Sequence, residues 1–241
     1  MTALLRKDSK GPADKKNVIN GIHSTDKLVI ALLAAGASRR FEGIKLVEPI
    51  DAIDAAGKVK RQPLLLHSLD KLQSLANKLE STSVHCEVVV VLGAHHRALT
   101  ALLPTGVRII TNSEWQRGLS SSIKVAVTSA IQLNATALMV TLADHIGVDD
   151  SAYELIARRW LSEHKTCCAS YQHSVGVPAI FNAELFSQLQ LLTGDKGAKS
   201  LLKQLDLQDK LTVVEVPGIA VDIDQREDVV VWHHAIKKQL S

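Results

Sequence analysis

Leu28–Lys45 reads LVIALLAAGASRRFEGIK. Its first seven residues, Leu28–Ala34, are all apolar and do not alternate with polar ones. Such a run marks a strand covered on both faces, the kind found in parallel sheets flanked by helices. The small residues at 34–37, with Arg40 and Lys45 just beyond, make the end of that strand a place where a ligand can approach the backbone.

Working outward, the same kind of run recurs at Glu87–Leu92 (EVVVVL), Val107–Thr111 (VRIIT) and Ala137–Leu142 (ALMVTL). Amphipathic stretches fall between them at Pro63–Leu79, His95–Leu103 and Leu119–Leu133. This alternation predicts an α/β fold with a mostly parallel sheet, helices on both faces and right-handed crossovers. The second half is less regular. It reads as a helix over Asp150–Ser162 capped by Asp149 or Asp150, then strands at Thr166–Tyr171 and Pro178–Phe181 around a Gly176–Val177–Pro178 turn. Short helices are expected at Glu184–Leu192 and Lys196–Leu205, a strand at Leu211–Val216 and a last helix at Gln225–Gln239. Residues 1–26 read as a mobile extension and 27–241 as one domain. Turn signals at Pro49 and Gly57 mark 47–62 as a loop or hairpin inserted in the first βα unit.

Composition narrows the function classes. The 241 residues are 46% hydrophobic and only 3% aromatic, so the core is aliphatic and there are few rings on which to stack single-stranded bases. The net charge is +3, and residues 1–27, with six Lys/Arg and three Asp, account for all of it. A charge-balanced body is not that of a phosphate-backbone binder. The three cysteines, two of them the neighbours Cys167 and Cys168, form no CxxC pair and suit a reducing cytoplasm. Cys86 reads as a small buried hydrophobe. No apolar run approaches a membrane span or the core of a signal peptide.

Ligands of open parallel sheets bind beyond the carboxyl ends of the strands. After the first strand, Leu33, Ala34, Ala35, Gly36 and Ser38 can form a backbone nest for phosphates, with Gly36 free to take positive φ. The segment is neither GxGxxG nor GxxxxGK[ST], so two common phosphate motifs are absent. After the fourth strand stands Asp144, a carboxylate able to hold Mg²⁺ or to cap a helix. Asp222 and Asp224 share a face if their segment is extended, and Asp224 is equally placed to cap the last helix. In Asn112–Ile123 (NSEWQRGLSSSI), three serines beside Gly118 exceed what capping needs and can read a base or sugar. The pairs His95-His96 and His233-His234 point apart as neighbours and make poor metal sites.

Together these segments resemble the MobA-like nucleotidyltransferase superfamily, and most of all molybdenum cofactor cytidylyltransferases. The family pattern LAAGxSxRFGxxKL is similar to Leu33–Leu46, PLL to Pro63–Leu65, and NxxWxxGxxxSI to Asn112–Ile123. G-x-P is similar to Gly176–Pro178, GDxGAR to Gly194–Lys199, and DIDxxED to Asp222–Asp228. The resemblance implies a Rossmann-like three-layer sandwich of nucleotidyltransferase type. It implies transfer of CMP from CTP to a phosphate-bearing acceptor such as molybdopterin, with Mg²⁺ or Mn²⁺ and release of pyrophosphate. A molybdoenzyme that receives the product would be a partner; nucleic acid and membrane would not. By carry-over Lys45, Arg40 and Asp144 would be catalytic, and Asp144, Asp224 and Asp222 would hold the metal. Leu33–Gly36, Ser38, Arg40, Lys45, Asn112, Gly118 and Ser122 would bind nucleotide, and Asp195, Gly197 and Lys199 the acceptor.

The chain departs from the family in two places. His145-Ile146-Gly147 follows Asp144 where the family has Gln-Pro or Met-Pro, and Glu42 is inserted between Phe41 and Gly43. Two other readings stay open: a guanylyltransferase or other NTP transferase with a different acceptor, and a non-catalytic protein that binds or delivers nucleotide or cofactor.

Overall fold

The computed structural model describes residues 18–19, 22–23, 26–53 and 58–239. Most of the expected N-terminal extension therefore lies outside the described residues; within it, Val18–Ile19 pairs antiparallel with Ile22–His23. The strands of the body are β1 (Lys27–Ala34), β2 (Pro49–Ile53), β3 (Val59–Pro63), β4 (His85–Leu92), β5 (Arg108–Thr111), β6 (Ala137–Leu142), β7 (Thr166–Tyr171), β8 (Ser174–Asn182) and β9 (Leu211–Glu215). The helices are α1 (Leu64–Glu80), α2 (His96–Thr100), α3 (Leu119–Gln132), α4 (Asp150–Glu163), α5 (Phe186–Gln190), α6 (Lys199–Leu207) and α7 (Arg226–Gln239).

Seven strands form one sheet in the order β5-β4-β1-β6-β8-β7-β9. All neighbours are parallel except β8, which runs antiparallel to both β6 and β7. β1 lies between β4 and β6, so its backbone is paired on both edges. The unbroken apolar run of β1 has its cause in the layers. Leu28, Ile30 and Leu32 face a core shared with α1, α4 and α7, whereas Val29, Ala31 and Leu33 face one shared with α3, α5 and α6. From β1 the chain moves outward to β4 and β5, then crosses back to β6 on the other side. That reversal opens a crevice beyond the carboxyl ends of β1 and β6, where such sheets bind ligands.

Segment 47–62 contains an antiparallel hairpin, β2 with β3, paired from Pro49↔Pro63 to Ile53↔Val59. Residues 54–57 lie outside the described residues. The hairpin is tied to α7 by Trp232, whose Nε1 donates to the Asp51 carbonyl at 2.7 Å.

Two local expectations are corrected. Gly176–Pro178 is not a turn: it lies inside β8, where the register to β7 shifts between Gly176 and Ala179. A proline has no N–H to give the ladder, so it sits where pairing is broken by a bulge. The turn is instead Gln172–His173, with φ of 45° and 60°. The 221–224 segment is also not a strand; it is an irregular run between a 3₁₀ turn, Pro217–Ala220, and α7. Asp149 does cap α4, its side chain accepting from the Ala152 N–H at 2.8 Å. Cys167 and Cys168 face opposite cores, and both thiols are pushed up to about 12 by burial. Cys86 is half-buried rather than buried. No helix among the described residues is long and apolar enough to cross a membrane.

Candidate active site

A cleft of about 430 Å³ opens at the carboxyl ends of β1 and β6. Its size lies in the usual range for small-molecule sites. One wall is the loop after β1, with Leu33–Arg40 lining it continuously. Gly36 does not adopt positive φ, contrary to expectation; Ser38 does, at 52°. A Cβ placed on Gly36 would meet no atom within 4 Å, so its smallness leaves room in the cleft. The loop is closed by Phe41 donating its N–H to Ser38 O at 2.9 Å, and by Ala94 donating to Ala35 O at 3.1 Å. His95 supports it from behind, with Nε2 3.2 Å from the Ala37 carbonyl. The His95-His96 pair thus supplies a loop brace.

The opposite wall carries the charge. Lys45 is only 8% exposed. Its Nζ donates to Asp144 Oδ2 at 2.7 Å and Asp224 Oδ1 at 3.2 Å. Burial alone would lower the Lys45 pKa, but Asp144 and Asp224 outweigh it and the pKa is raised. The ammonium is therefore fully charged at neutral pH. Arg40 pairs with the other oxygen of Asp224 at 2.8 Å, while remaining 72% exposed at the rim. Asp224 does not cap α7. Asp228 does so by reaching back to accept the Asp224 and Gln225 N–H groups at 2.8 and 2.7 Å, which leaves the Asp224 carboxylate for the cleft.

Of the three carboxylates expected to hold metal, the cleft is lined by two, Asp144 and Asp224. Asp222 does not line the cleft, and Ile223 between the two aspartates is fully buried. Asp222 remains close enough that burial, then Asp224 and Asp144, raise its pKa. Among the described residues no group of three or more His, Cys, Asp or Glu is gathered as a metal site.

The third wall is the start of α3, and its three serines divide their work. Ser120 Oγ donates to Gly194 O at 2.7 Å and Ser121 Oγ to Gly118 O at 2.8 Å. Ser122 lines the cleft. Asn112 does not reach the cleft: it is 2% exposed and spends both Nδ2 hydrogens on Ser121 Oγ and Ser122 Oγ, at 2.8 and 3.0 Å. It acts on the cleft through Ser122. Gly118 adopts φ 91° and ψ −177°, a region almost closed to other residues. A Cβ there would overlap the Asp195 carboxylate. Of the three residues expected at the acceptor, Asp195 lines the cleft on this wall, Gly197 is buried against Leu119, and Lys199 is exposed outside it. Trp115 also lines the cleft, so hydroxyls and amides are not alone there.

Fold and site together define an α/β nucleotide-type transfer cleft, with a backbone loop, a buried lysine and two carboxylates gathered at a switch point. The MobA-like NTP transferase domain family matches residues 30–210, and the chain belongs to that family. It is a nucleotidyltransferase. Among solved structures, Rv0371c from Mycobacterium tuberculosis H37Rv is similar, with 22% identity, a TM-score of 0.69, and coverage of 87% of this chain and 98% of that one. A manganese complex of the same protein aligns with 20% identity, a TM-score of 0.63, and 88% and 100% coverage. Molybdopterin-guanine dinucleotide biosynthesis protein A from Archaeoglobus fulgidus aligns with 15% identity, a TM-score of 0.57, and 87% and 99% coverage. At these identities the likeness is one of fold. No curated protein sequence gives a match.

Proposed function

We propose that the chain transfers CMP from CTP to a small phosphorylated acceptor of molybdopterin type, releasing pyrophosphate. The observation that carries this reading is the convergence of Leu33–Ser38, Lys45, Asp144 and Asp224 on one cleft. The nucleobase assignment follows the Leu33-Ala34-Ala35-Gly36 sequence, which is similar to the cytidylyl branch. An oxygen of the acceptor phosphate attacks the α-phosphorus of CTP. The bond from that phosphorus to the bridging oxygen breaks, and pyrophosphate leaves with the electron pair. The protein positions the groups and stabilises charge rather than forming bonds itself. The loop after β1 offers backbone to the triphosphate, Arg40 and Lys45 offset its charge, and Ser122 and Trp115 face the nucleoside. Asp195 sits beside Gly118 on the nucleoside wall, at the end nearer the acceptor.

The residues present fit a hard divalent cation. Two carboxylates already converge on one positive centre, Lys45 Nζ, and one or two carboxylates plus substrate phosphates are a common set for Mg²⁺. Asp144 and Asp224 would hold Mg²⁺ or Mn²⁺, which when bound supplies Lewis-acid stabilisation and a template for the phosphates. The manganese complex of a protein with this fold supports a divalent cation as the metal.

The test is pyrophosphate release with CTP, GTP, ATP and UTP, with and without molybdopterin. The reading expects CTP to lead and molybdopterin to be required. Preference for GTP would move the chain to guanylyl transfer. No release from any NTP would favour the delivery role. A molybdoenzyme would then be the recipient in either case.

A further inference from the structure

The loop Ala143–Val148 carries Asp144 into the cleft with no proline to lock its backbone. It is held instead by α1, which contributes nothing to the cleft lining. Ser68 Oγ donates to Ala143 O at 2.8 Å. Lys71 Nζ donates to Ile146 O at 2.8 Å and to Val148 O at 2.7 Å. These bonds grip the loop on both sides of Asp144 and His145. The far side of the loop is tied to the segment that carries Asp224: Ile223 N–H donates to Asp144 O at 3.2 Å, and Gly147 N–H to Val221 O at 3.1 Å. Gly147 and Gly218 meet back to back, and a Cβ on either would overlap the other's carbonyl.

Lys71 is half-buried, yet its Nζ is spent on two neutral carbonyls, a costly way to hold a charge out of water. Among the described residues no carboxylate forms an ion pair with it, and Asp150 and Asp149 act on it only at longer range. A methionine or leucine would fill the same space without that penalty. We propose that Lys71, assisted by Ser68, is a positioning residue that fixes the Asp144 carboxylate opposite Lys45 by clamping the Ile146 and Val148 carbonyls. The inference rests on the reading of Asp144 as a working carboxylate of the cleft. The clamp needs two donors, so the neutral amine serves as well as the ammonium.

The experiment compares Lys71→Met, Lys71→Arg and Ser68→Ala in the full chain. Crystal structures give a reading that does not depend on the reaction. In Lys71→Met the Asp144 carboxylate leaves hydrogen-bond distance of Lys45 Nζ, and in Lys71→Arg it stays. Kinetics with CTP and molybdopterin should show kcat at least tenfold lower in Lys71→Met with the KM for CTP within about twofold. Lys71→Arg should recover most of the loss, and Ser68→Ala should lose about threefold. An Asp144 that keeps its place in Lys71→Met, or equal losses in the Met and Arg variants, would overturn the proposal. Were Lys71→Met insoluble, a Ser68→Ala structure with Asp144 unmoved and kcat unchanged would overturn it too. If the wild type transfers nothing, the kinetic reading of the cleft fails, while the crystallographic comparison still decides the clamp.

Discussion

The two long walls of the cleft are built in opposite ways. The phosphate-side wall, Leu33–Arg40, is one continuous loop at the end of a strand, and its shape is set by bonds a few residues apart and by the next βα turn. The carboxylate wall joins Asp144 to Asp224, which are distant in sequence, and takes its shape from α1, from the Gly147–Gly218 contact and from Asp228. The first wall is a motif; the second is an assembly of tertiary contacts. Perturbing the first should change chemistry with little cost in stability. Perturbing the second should change both.

Lys45 joins the walls, so its loss should have the largest effect. Its backbone N–H reaches Ser38 Oγ at 3.3 Å while its side chain spans both carboxylates. Lys45→Ala should lower the rate of pyrophosphate release by about 10²–10³-fold, as loss of a preorganised charge does. It also leaves Asp144 without its cation and Asp224 with Arg40 alone. The pairing of Lys45 stabilises the fold wherever the ammonium is charged. Because its folded pKa is raised above 10.5, that contribution is intact below pH 10.5 and fades as pH rises beyond the folded value. A wild-type stability advantage that does not shrink in strong base would contradict the pairing.

The next effect isolates the carboxylate wall. Gly218→Ala places a methyl group against the Gly147 carbonyl. Overpacking of this kind costs about 1–3 kcal/mol. Urea titration should show that loss together with weaker activity, because the overlap pushes Asp144 and Asp224 apart. Full stability with normal kinetics would show that the contact yields without consequence.

These contrasts explain what was legible in the sequence. β1, β4 and β6 were readable because burial on both faces leaves an unbroken aliphatic run, and the loop after β1 because its residues are consecutive. Lys45 and Asp224 were readable as members of ordered motifs, and Asp144 from its place just after the run that forms β6. Asn112 was read as a cleft residue and is a buried brace, since a side-chain amide next to serines looks the same in either role. Asp222 and Asp224 stand two apart in the sequence, which does not tell that only Asp224 lines the cleft. Ser68 and Lys71 were invisible: they lie on a helix whose local pattern, a leucine stripe, speaks only of the core. A lysine among those leucines was the available signal.

His67 sharpens the comparison by titration. It is 8% exposed on α1 behind the carboxylate wall, its Nε2 has no partner, and its ring meets Trp232 edge-on at 6.4 Å. Burial first, then Lys71, brings its pKa down from 6.5 to about 3. The unfolded chain therefore binds a proton between those values that the folded chain refuses, and stability falls as pH drops through 6.5. Between pH 7 and about pH 5 this one group should remove about 2 kcal/mol. His67→Phe should flatten the slope of melting temperature against pH in that window. An unchanged slope would place the acid sensitivity elsewhere.

Arg226 should give the smallest effect and tests whether the phosphate wall is as self-sufficient as its short-range bonds imply. At the start of α7 it donates to the Glu42 carbonyl at 2.7 Å, covers the Phe41 ring at 5.1 Å and approaches Glu48 at 3.5 Å. It thus holds the inserted residue against the helix that follows Asp224. Its side chain is 52% exposed, so the ion pair and ring contact are together worth about 1 kcal/mol or less. Arg226→Ala should leave kcat nearly unchanged and raise the KM for the nucleotide a few-fold, because Glu42 is released toward the triphosphate. If kcat falls as steeply as KM rises, the phosphate wall depends on tertiary support as much as the carboxylate wall does, and the contrast between them dissolves.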